Sequence, residues 1–376
     1  MPSLAIISHT PHFYNKNGKV VGLEPTIREI NYLSQVFDTI FHIAPLYNID
    51  PHNATLTYVS NNIIFIPIKP TGGKNIFSKL DILFYMPYNL YKIIVTIVKV
   101  QWIHFRAPTN LGLFVLPLLS GLKNKKKWVK YAGNWTQTSI PLSYRLQRWW
   151  LRNNLQNSKV TINGSINRQK LHLIPFLNPC LSKKEINMNR KLGSSKNFNG
   201  MLTFCFVGRI EKLKGWMVLL EAINNLDKIN WIDKLHFVGE IIENNYIEKL
   251  NPNGKIAVEY HGILDRTGLN KIYEVSHFII LPSETEGFPK VLIEASSFGC
   301  IPIVPPIPSI LIHINQKKQN GIELEDISPK SIEMTIKNLN EMRNELSVFS
   351  KNAMENARQF SYEKYNQRIL NEIIQN

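Results

Sequence analysis

The sequence predicts an α/β chain built as two Rossmann-like domains facing across a cleft. Short apolar runs alternate with helical stretches in both halves of the chain. A polar stretch between 182 and 199 interrupts that rhythm once. The length of 376 residues exceeds one ordinary core and suits two. An apolar share of 44% beside 19% charged residues is that of a folded chain.

In the first half, strands are expected at 4–8, 39–44, 63–67, 102–106, 128–132 and 159–163. Between the first two, 25–37 has helical spacing, with Ile27, Ile30, Leu33 and Val36 recurring at threes. Residues 182–199 (SKKEINMNRKLGSSKNFN) have no hydrophobic period and read as a linker. Strands resume at 202–207, 235–238, 257–260, 278–281 and 301–304. The expected division is a first domain over 1–181, the linker, a second domain over 200–360 and a terminal helix over 361–376, with Ser361 as its N-cap.

The net charge of +16 is unevenly placed. Residues 1–200 hold 25 Lys/Arg against 6 Asp/Glu, whereas 201–376 hold 19 against 22. The basic half is expected to face something anionic: nucleic acid, an anionic membrane surface or a phosphorylated acceptor. Three scattered cysteines lack disulfide or metal spacing, which fits a reducing cytoplasm. The N-terminus lacks the basic flank and apolar run of a signal peptide. The longest apolar run, 111–122, is too short for a membrane span and contains Pro117.

Chemistry concentrates in the second half, beyond the carboxyl ends of strands, where ligands of such sheets bind. The first cluster is FVGRIEKLKG, 206–215. A strand ends, Gly208 permits a tight turn, and Arg209 and Lys214 stand ready to neutralise a diphosphate at a helix start. The second is PSETEGFPKVLIEA, 282–295. Amides in the stretch Gly287 to Lys290, those of Gly287, Phe288 and Lys290, would border an anion, with Pro289 in the first helical turn. Glu286 lies in the loop and Glu294 about 8 Å into the helix. Such carboxylates can accept hydrogen bonds from sugar and ribose hydroxyls.

Glu286, seven residues, then Glu294 resembles the E-x7-E signature of retaining GT-B glycosyltransferases, family 4 especially. GRIEKLKG resembles that family's second motif, and His261-Gly262 its third donor-site segment. The resemblance is strong over roughly 200–310 and weak in the first half. It implies a nucleoside-diphosphate sugar as co-substrate, with Arg209 and Lys214 on the diphosphate. It further implies Glu286 on the transferred sugar, Glu294 on the ribose, and the backbone of Gly262 and Ile263 along the base. Catalysis then rests on Arg209, Lys214 and Glu286 stabilising the leaving group. The family implies retention at the anomeric carbon. No Asp-x-Asp pair occurs in the chain, so no metal or other cofactor is expected.

The first domain is then the acceptor side, with the terminal helix crossing back onto it as in relatives. At the end of the fourth strand, where many relatives carry two histidines, stand His104 and Arg106, which share a face at strand period. The loop after the first strand holds only Gly18 where relatives have paired glycines. Two features suggest a peripheral contact with the inner membrane face: the 111–122 run closed by lysines, and SYRLQRWWLR at 143–152. Each reads equally as a helix docking on its own sheet. The expected product is a cell-surface polysaccharide or lipopolysaccharide, through a glycan or lipid-linked acceptor. The competing readings are a basic nucleic-acid or anionic-surface binding protein, against which no nucleic-acid motif is found, and a sugar-nucleotide epimerase on the same fold.

Overall fold

The apolar runs of the first half pair as parallel strands, and the segments between them cover both sheet faces. In the computed structural model, which describes residues 2–51, 55–72, 76–137, 140–163, 170–226, 229–242 and 256–375 (side chains at 76–80 and 83 excepted), the elements begin β1 (Ser3–Ile7), β2 (His12–Tyr14), β3 (Val20–Leu23), α1 (Glu24–Leu33), β4 (Thr39–Pro45), β5 (Thr55–Thr57) and β6 (Ile63–Ile68). They continue with α2 (Ile76–Ile97), β7 (Trp102–Ala107), α3 (Gly112–Gly121), β8 (Lys126–Tyr131), α4 (Leu142–Arg152), β9 (Lys159–Ile162) and β10 (Leu173–Pro175). The main sheet has the order β10-β9-β8-β7-β1-β4-β6, all parallel. A strand buried on both faces needs apolar residues at successive positions. In β1, Ala5 and Ile7 join the core under α2, α3 and α4, while Leu4 and Ile6 join the core on the opposite face. The segment after β1 is not a plain loop. It forms the hairpin β2–β3, extended by β5, and Gly18 (φ +69°) makes its turn.

The second unit runs α5 (Lys183–Gly193), β11 (Leu202–Val207), α6 (Trp216–Asn224), β12 (Ile232–Val238), β13 (Ala257–Tyr260), α7 (Arg266–Val275), β14 (Phe278–Ile280), α8 (Lys290–Ser297), β15 (Ile301–Val304), α9 (Pro308–Leu311), β16 (Ile322–Glu323), α10 (Pro329–Asn338) and α11 (Arg343–Ala357). Its parallel sheet has the order β13-β12-β11-β14-β15-β16. The last helix, α12 (Tyr362–Arg368), continues as a π-helical turn to Ile374. Its Tyr365, Ile369 and Ile373 pack with Leu4, Ile30 and Trp128. The two units are therefore Met1–Leu177 with Glu363–Asn376, and Asn178–Tyr362.

The expected linker is a correction. Residues 183–193 form helix α5, opened by a capping box in which the Glu185 amide donates to Ser182 Oγ (3.1 Å) and the Ser182 amide to Glu185 Oε2 (2.7 Å). Such a cap contributes about 1 kcal/mol. Asn189 donates to Ser297 Oγ at 2.9 Å, and a Cβ on Gly193 would lie 2.3 Å from the Phe298 carbonyl oxygen. The segment thus packs on α8 as part of the second unit.

Strand order reverses between β1 and β7 in the first unit and between β11 and β14 in the second. These switch points open a crevice at the strands' carboxyl ends.

Histidines near the first switch point belong to a buried network. His42 bonds Ser8 Oγ through Nε2 (2.7 Å) and Tyr58 OH through Nδ1 (2.6 Å), and His12 Nε2 bonds the same hydroxyl at 2.8 Å. Burial holds His12, His277 and His313 down to about 4, from an ordinary 6.5. The folded chain keeps these rings neutral while the unfolded chain protonates them near 6.5. Their stabilisation is complete above that pH and is lost as pH falls towards 4. The midpoint of thermal unfolding, measured from pH 8 to pH 4.5, should be level at the upper end and fall steadily below about 6.5.

Candidate functional site

Both motif loops leave neighbouring central strands of the second unit. Phe204 pairs with Phe278 and Cys205 with Ile279, so the loops after β11 and β14 emerge side by side at the switch point. Two backbone constraints lock them together. The Glu284 amide donates to the Leu213 carbonyl at 3.0 Å. Gly215, left-handed at φ +69°, lies so close that a Cβ there would stand 2.0 Å from the Pro282 carbonyl oxygen. Only glycine satisfies both demands. The chain bends at Gly208, where the sequence reading placed the turn, but the demand for glycine lies elsewhere. Gly208 has no left-handed φ, and a Cβ on it would meet nothing nearer than 4.0 Å, while Gly215, Gly239 and Gly262 carry the positive φ values.

The loops bring Lys214 Nζ onto Glu286 Oε1 as an ion pair. Ser309 Oγ fixes the Glu286 carbonyl at 2.7 Å. Arg209, 61% exposed, reaches Glu211 at 2.8 Å. Glu294 lies on the fifth residue of α8 and pairs with Arg266 NH1 at 3.2 Å. Arg266 is a third cation that the sequence reading missed, because α7 lies outside both motifs. Pro289 is the N-cap of α8 rather than a first-turn residue, and no side chain caps the helix. The amides at its start, beginning with Lys290, therefore present their dipole to an incoming anion. Gly287 is partly buried, and Phe288 stacks on Phe360 with ring centroids 5.0 Å apart.

At the end of β13, the Gly262 carbonyl accepts from the Gly239 amide at 2.8 Å, and Ile263 is exposed. His261 Nε2 bonds His236 Nδ1 at 2.9 Å, and Glu259 Oε2 lies 3.2 Å from that same Nδ1. These three residues are the one potential metal-ligand trio among the described residues. They already satisfy one another, and Lys234 holds the other Glu259 oxygen at 2.6 Å. The trio was invisible in sequence because it forms through the register His236 to Glu259.

In the first unit, the switch-point crevice is a pocket of ≈ 460 Å³ lined by Ser8, His9, Arg106 and Thr109, among others. Arg106 lines it while pairing with buried Glu29 at 2.7 Å. His104 does not join it, which corrects the expectation that the two side chains line a cleft together. Register places His104 against Trp128, whose ring stacks on it at 4.2 Å, and the histidine is fully buried. Burial first of all, and then the Arg106 charge, push His104 well below its usual range. Gly18 sits in the hairpin turn with nothing within 4 Å of a Cβ.

Two Rossmann-like units are the fold of the GT-B glycosyltransferases. Residues 189–356, which lie within the second unit, match the family Glycosyl transferases group 1. The chain is 32% identical over 180 residues to the capsular polysaccharide biosynthesis glycosyltransferase CapH of Staphylococcus aureus, covering 45% of this chain and 47% of CapH. The matched stretch thus spans about half the length of that relative. Among solved structures, a glycosyltransferase from Rickettsia africae superposes with a TM-score of 0.67 at 17% identity, over 100% of this chain and 99% of that one. Anabaena Alr3699/HepE, in complex with UDP and glucose, gives 0.67 at 15% identity over 99% of each chain. At these identities the likeness is one of fold.

Proposed function

We propose that the protein is a retaining, metal-independent glycosyltransferase. It moves a sugar from a nucleoside-diphosphate sugar to a glycan or lipid-linked acceptor in cell-surface polysaccharide or lipopolysaccharide synthesis. One observation carries this reading: Arg209, Lys214, Glu286 and the uncapped start of α8 meet at the β11–β14 switch point, with Glu294 deeper in the same helix. The capsular relative supports the pathway class, and the UDP and glucose of the HepE complex make UDP-glucose the first donor to try.

In this reading Arg209 and Lys214 take the diphosphate, and their charge offsets the negative charge that grows as the leaving group departs. Glu286, held by Lys214, meets the transferred sugar. Glu294, oriented by Arg266, meets the ribose, and the backbone of Gly262 and Ile263 borders the base. Cation stabilisation of this kind needs no metal, which accords with the lack of an Asp-x-Asp pair. The acceptor is assigned to the Arg106-lined pocket of the first unit, where the guanidinium favours an anionic group.

The test is a panel of sugar nucleotides in the presence of a chelator, read by thermal stabilisation and by slow release of nucleoside diphosphate. A donor that stabilises the wild type, but not the Arg209→Ala, Glu294→Ala double variant, is the expected result. Stabilisation that survives both substitutions, or none by any sugar nucleotide, overturns the reading. Salt-sensitive binding of oligonucleotides without any sugar-nucleotide effect would favour a nucleic-acid binding protein instead.

A further inference from the structure

Helix α2 is apolar on the wrong side. Its buried face, with Met86, Ile93 and Ile97, packs on the first unit's sheet. Its opposite face carries Phe84, Tyr88, Tyr91 and Val95, and Val98 in the turn just past its end continues the row, at alternating spacings of four and three, a single stripe on a helix. All five are exposed, Phe84 at 86% and Tyr91 at 63%. A soluble surface helix presents charge there. This one presents two tyrosines, a phenylalanine and two valines, with Lys92 and Lys99 beside them.

Helix α4 repeats the pattern. Its Leu151 is buried in the same core as α2, whereas Leu142 (78% exposed), Leu146 and Trp149 point outward with Arg145 and Arg152. Helix α3 also packs into that core, through Val115, Leu116 and Leu119. All three helices cover one face of the sheet, so their outer faces look away from it in the same direction. Their sequences contain one acidic residue, Asp81, against Lys79, Lys92, Arg145, Arg148 and Arg152.

We propose that the outer faces of α2 and α4 dock on an anionic lipid surface, with the helices lying in the headgroup layer. Tyrosine and tryptophan rings suit that depth, having an apolar body and a polar edge, and the lysines and arginines meet the lipid phosphates. No helix among the described residues is long and apolar enough to cross a membrane. A second copy of the chain is the wrong occupant on charge. The first unit holds 22 Lys/Arg against 7 Asp/Glu, so two such faces would repel, whereas the second unit holds 22 against 21. The docking surface is separate from the donor site, so it stands or falls independently of the proposed reaction.

The experiment is co-sedimentation of the full chain with vesicles of phosphatidylcholine alone, and of phosphatidylcholine with one third phosphatidylglycerol. Wild type should partition onto the anionic vesicles at about 0.1 M salt and be largely released at about 1 M, where charges are screened within ~3 Å. Tyr91→Glu with Val98→Glu should weaken partitioning about tenfold or more. Lys92→Glu with Arg145→Glu should do the same on anionic vesicles only. Tyr91, Val98 and Arg145 are exposed and Lys92 is half-buried over the Tyr88 ring, so unchanged circular dichroism and a thermal midpoint close to that of wild type should accompany the loss. The proposal is overturned if wild type ignores anionic vesicles or if folded variants partition equally. It is also overturned if wild type is a dimer in solution that Tyr91→Glu with Val98→Glu converts to monomer.

Discussion

Replacing Lys214 by methionine is expected to lower sugar transfer about 10²–10³-fold, the loss typical of one preorganised charge-stabilising donor. Methionine keeps most of the stem and removes the charge. The loop should survive, because its position is set by backbone contacts: the Gly215 approach to Pro282 and the Glu284 amide bonded to the Leu213 carbonyl. If the lysine acts on the departing diphosphate as proposed, the loss should appear chiefly in kcat. Glu286→Gln supplies the comparison, because it removes the partner of Lys214 and leaves the cation. Steady-state kinetics with the donor found in the panel decide the matter. If Lys214→Met keeps kcat within about threefold of wild type, the lysine serves only to pair Glu286 and not to stabilise the transition state.

The parts of this site that sequence revealed are those whose chemistry is local. Arg209 with Lys214, and Glu286 with Glu294, each lie within one strand–loop–helix, so spacing alone sets their separation. The strands were legible for the same reason. A strand buried on both faces is a continuous apolar run, as LTFCFV in β11 shows, with all six residues buried. What escaped depends on partners distant in sequence. Arg266 reaches Glu294 from another helix. His104 looked like a cleft residue by strand period, and only the register with β8 put Trp128 over it. Gly208 looked like the turn glycine, yet the demand for glycine came from Pro282, far along the chain at Gly215.

Two misreadings have a simpler origin. The signal for α5 was present, since Ser182-Lys-Lys-Glu185 is a capping box, but a polar helix docking through a few residues has no strong period. Helix α2 went unnoticed for the opposite reason. Both of its faces are apolar, so no contrast marks one as buried. Membrane contact was sought in 143–152 and in 111–122, and Val115, Leu116 and Leu119 of the latter are core residues. A run of apolar residues shows that something covers a helix. Only the packing shows which side is left uncovered.

A second large effect is expected far from the donor loops, at Glu29. This α1 carboxylate is 1% exposed and is shared by three groups: Arg106 NH1 at 2.7 Å, Lys130 Nζ at 2.8 Å from each oxygen, and the Tyr365 hydroxyl at 3.1 Å. It therefore links α1, β7, β8 and α12 within one unit. Glu29→Ala would leave Lys130, itself buried, and Arg106 without this counter-charge, at a cost of about 3–5 kcal/mol. For a unit of this size the thermal midpoint should fall by roughly 10 °C. A pairing that mainly offsets its own desolvation makes a further demand. Glu29→Leu combined with Lys130→Met should recover part of the loss, because replacing both partners by apolar groups costs far less than stranding one. Calorimetry on the two variants beside wild type is the check. A shift of less than about 2 °C in Glu29→Ala would mean that water already screens the pair. Arg106 would then be held by the pocket it lines rather than by Glu29, and the terminal helix would be fastened by its apolar contacts and by the bonds of Asn366 to the Tyr32 carbonyl and Arg368 to the Pro175 carbonyl.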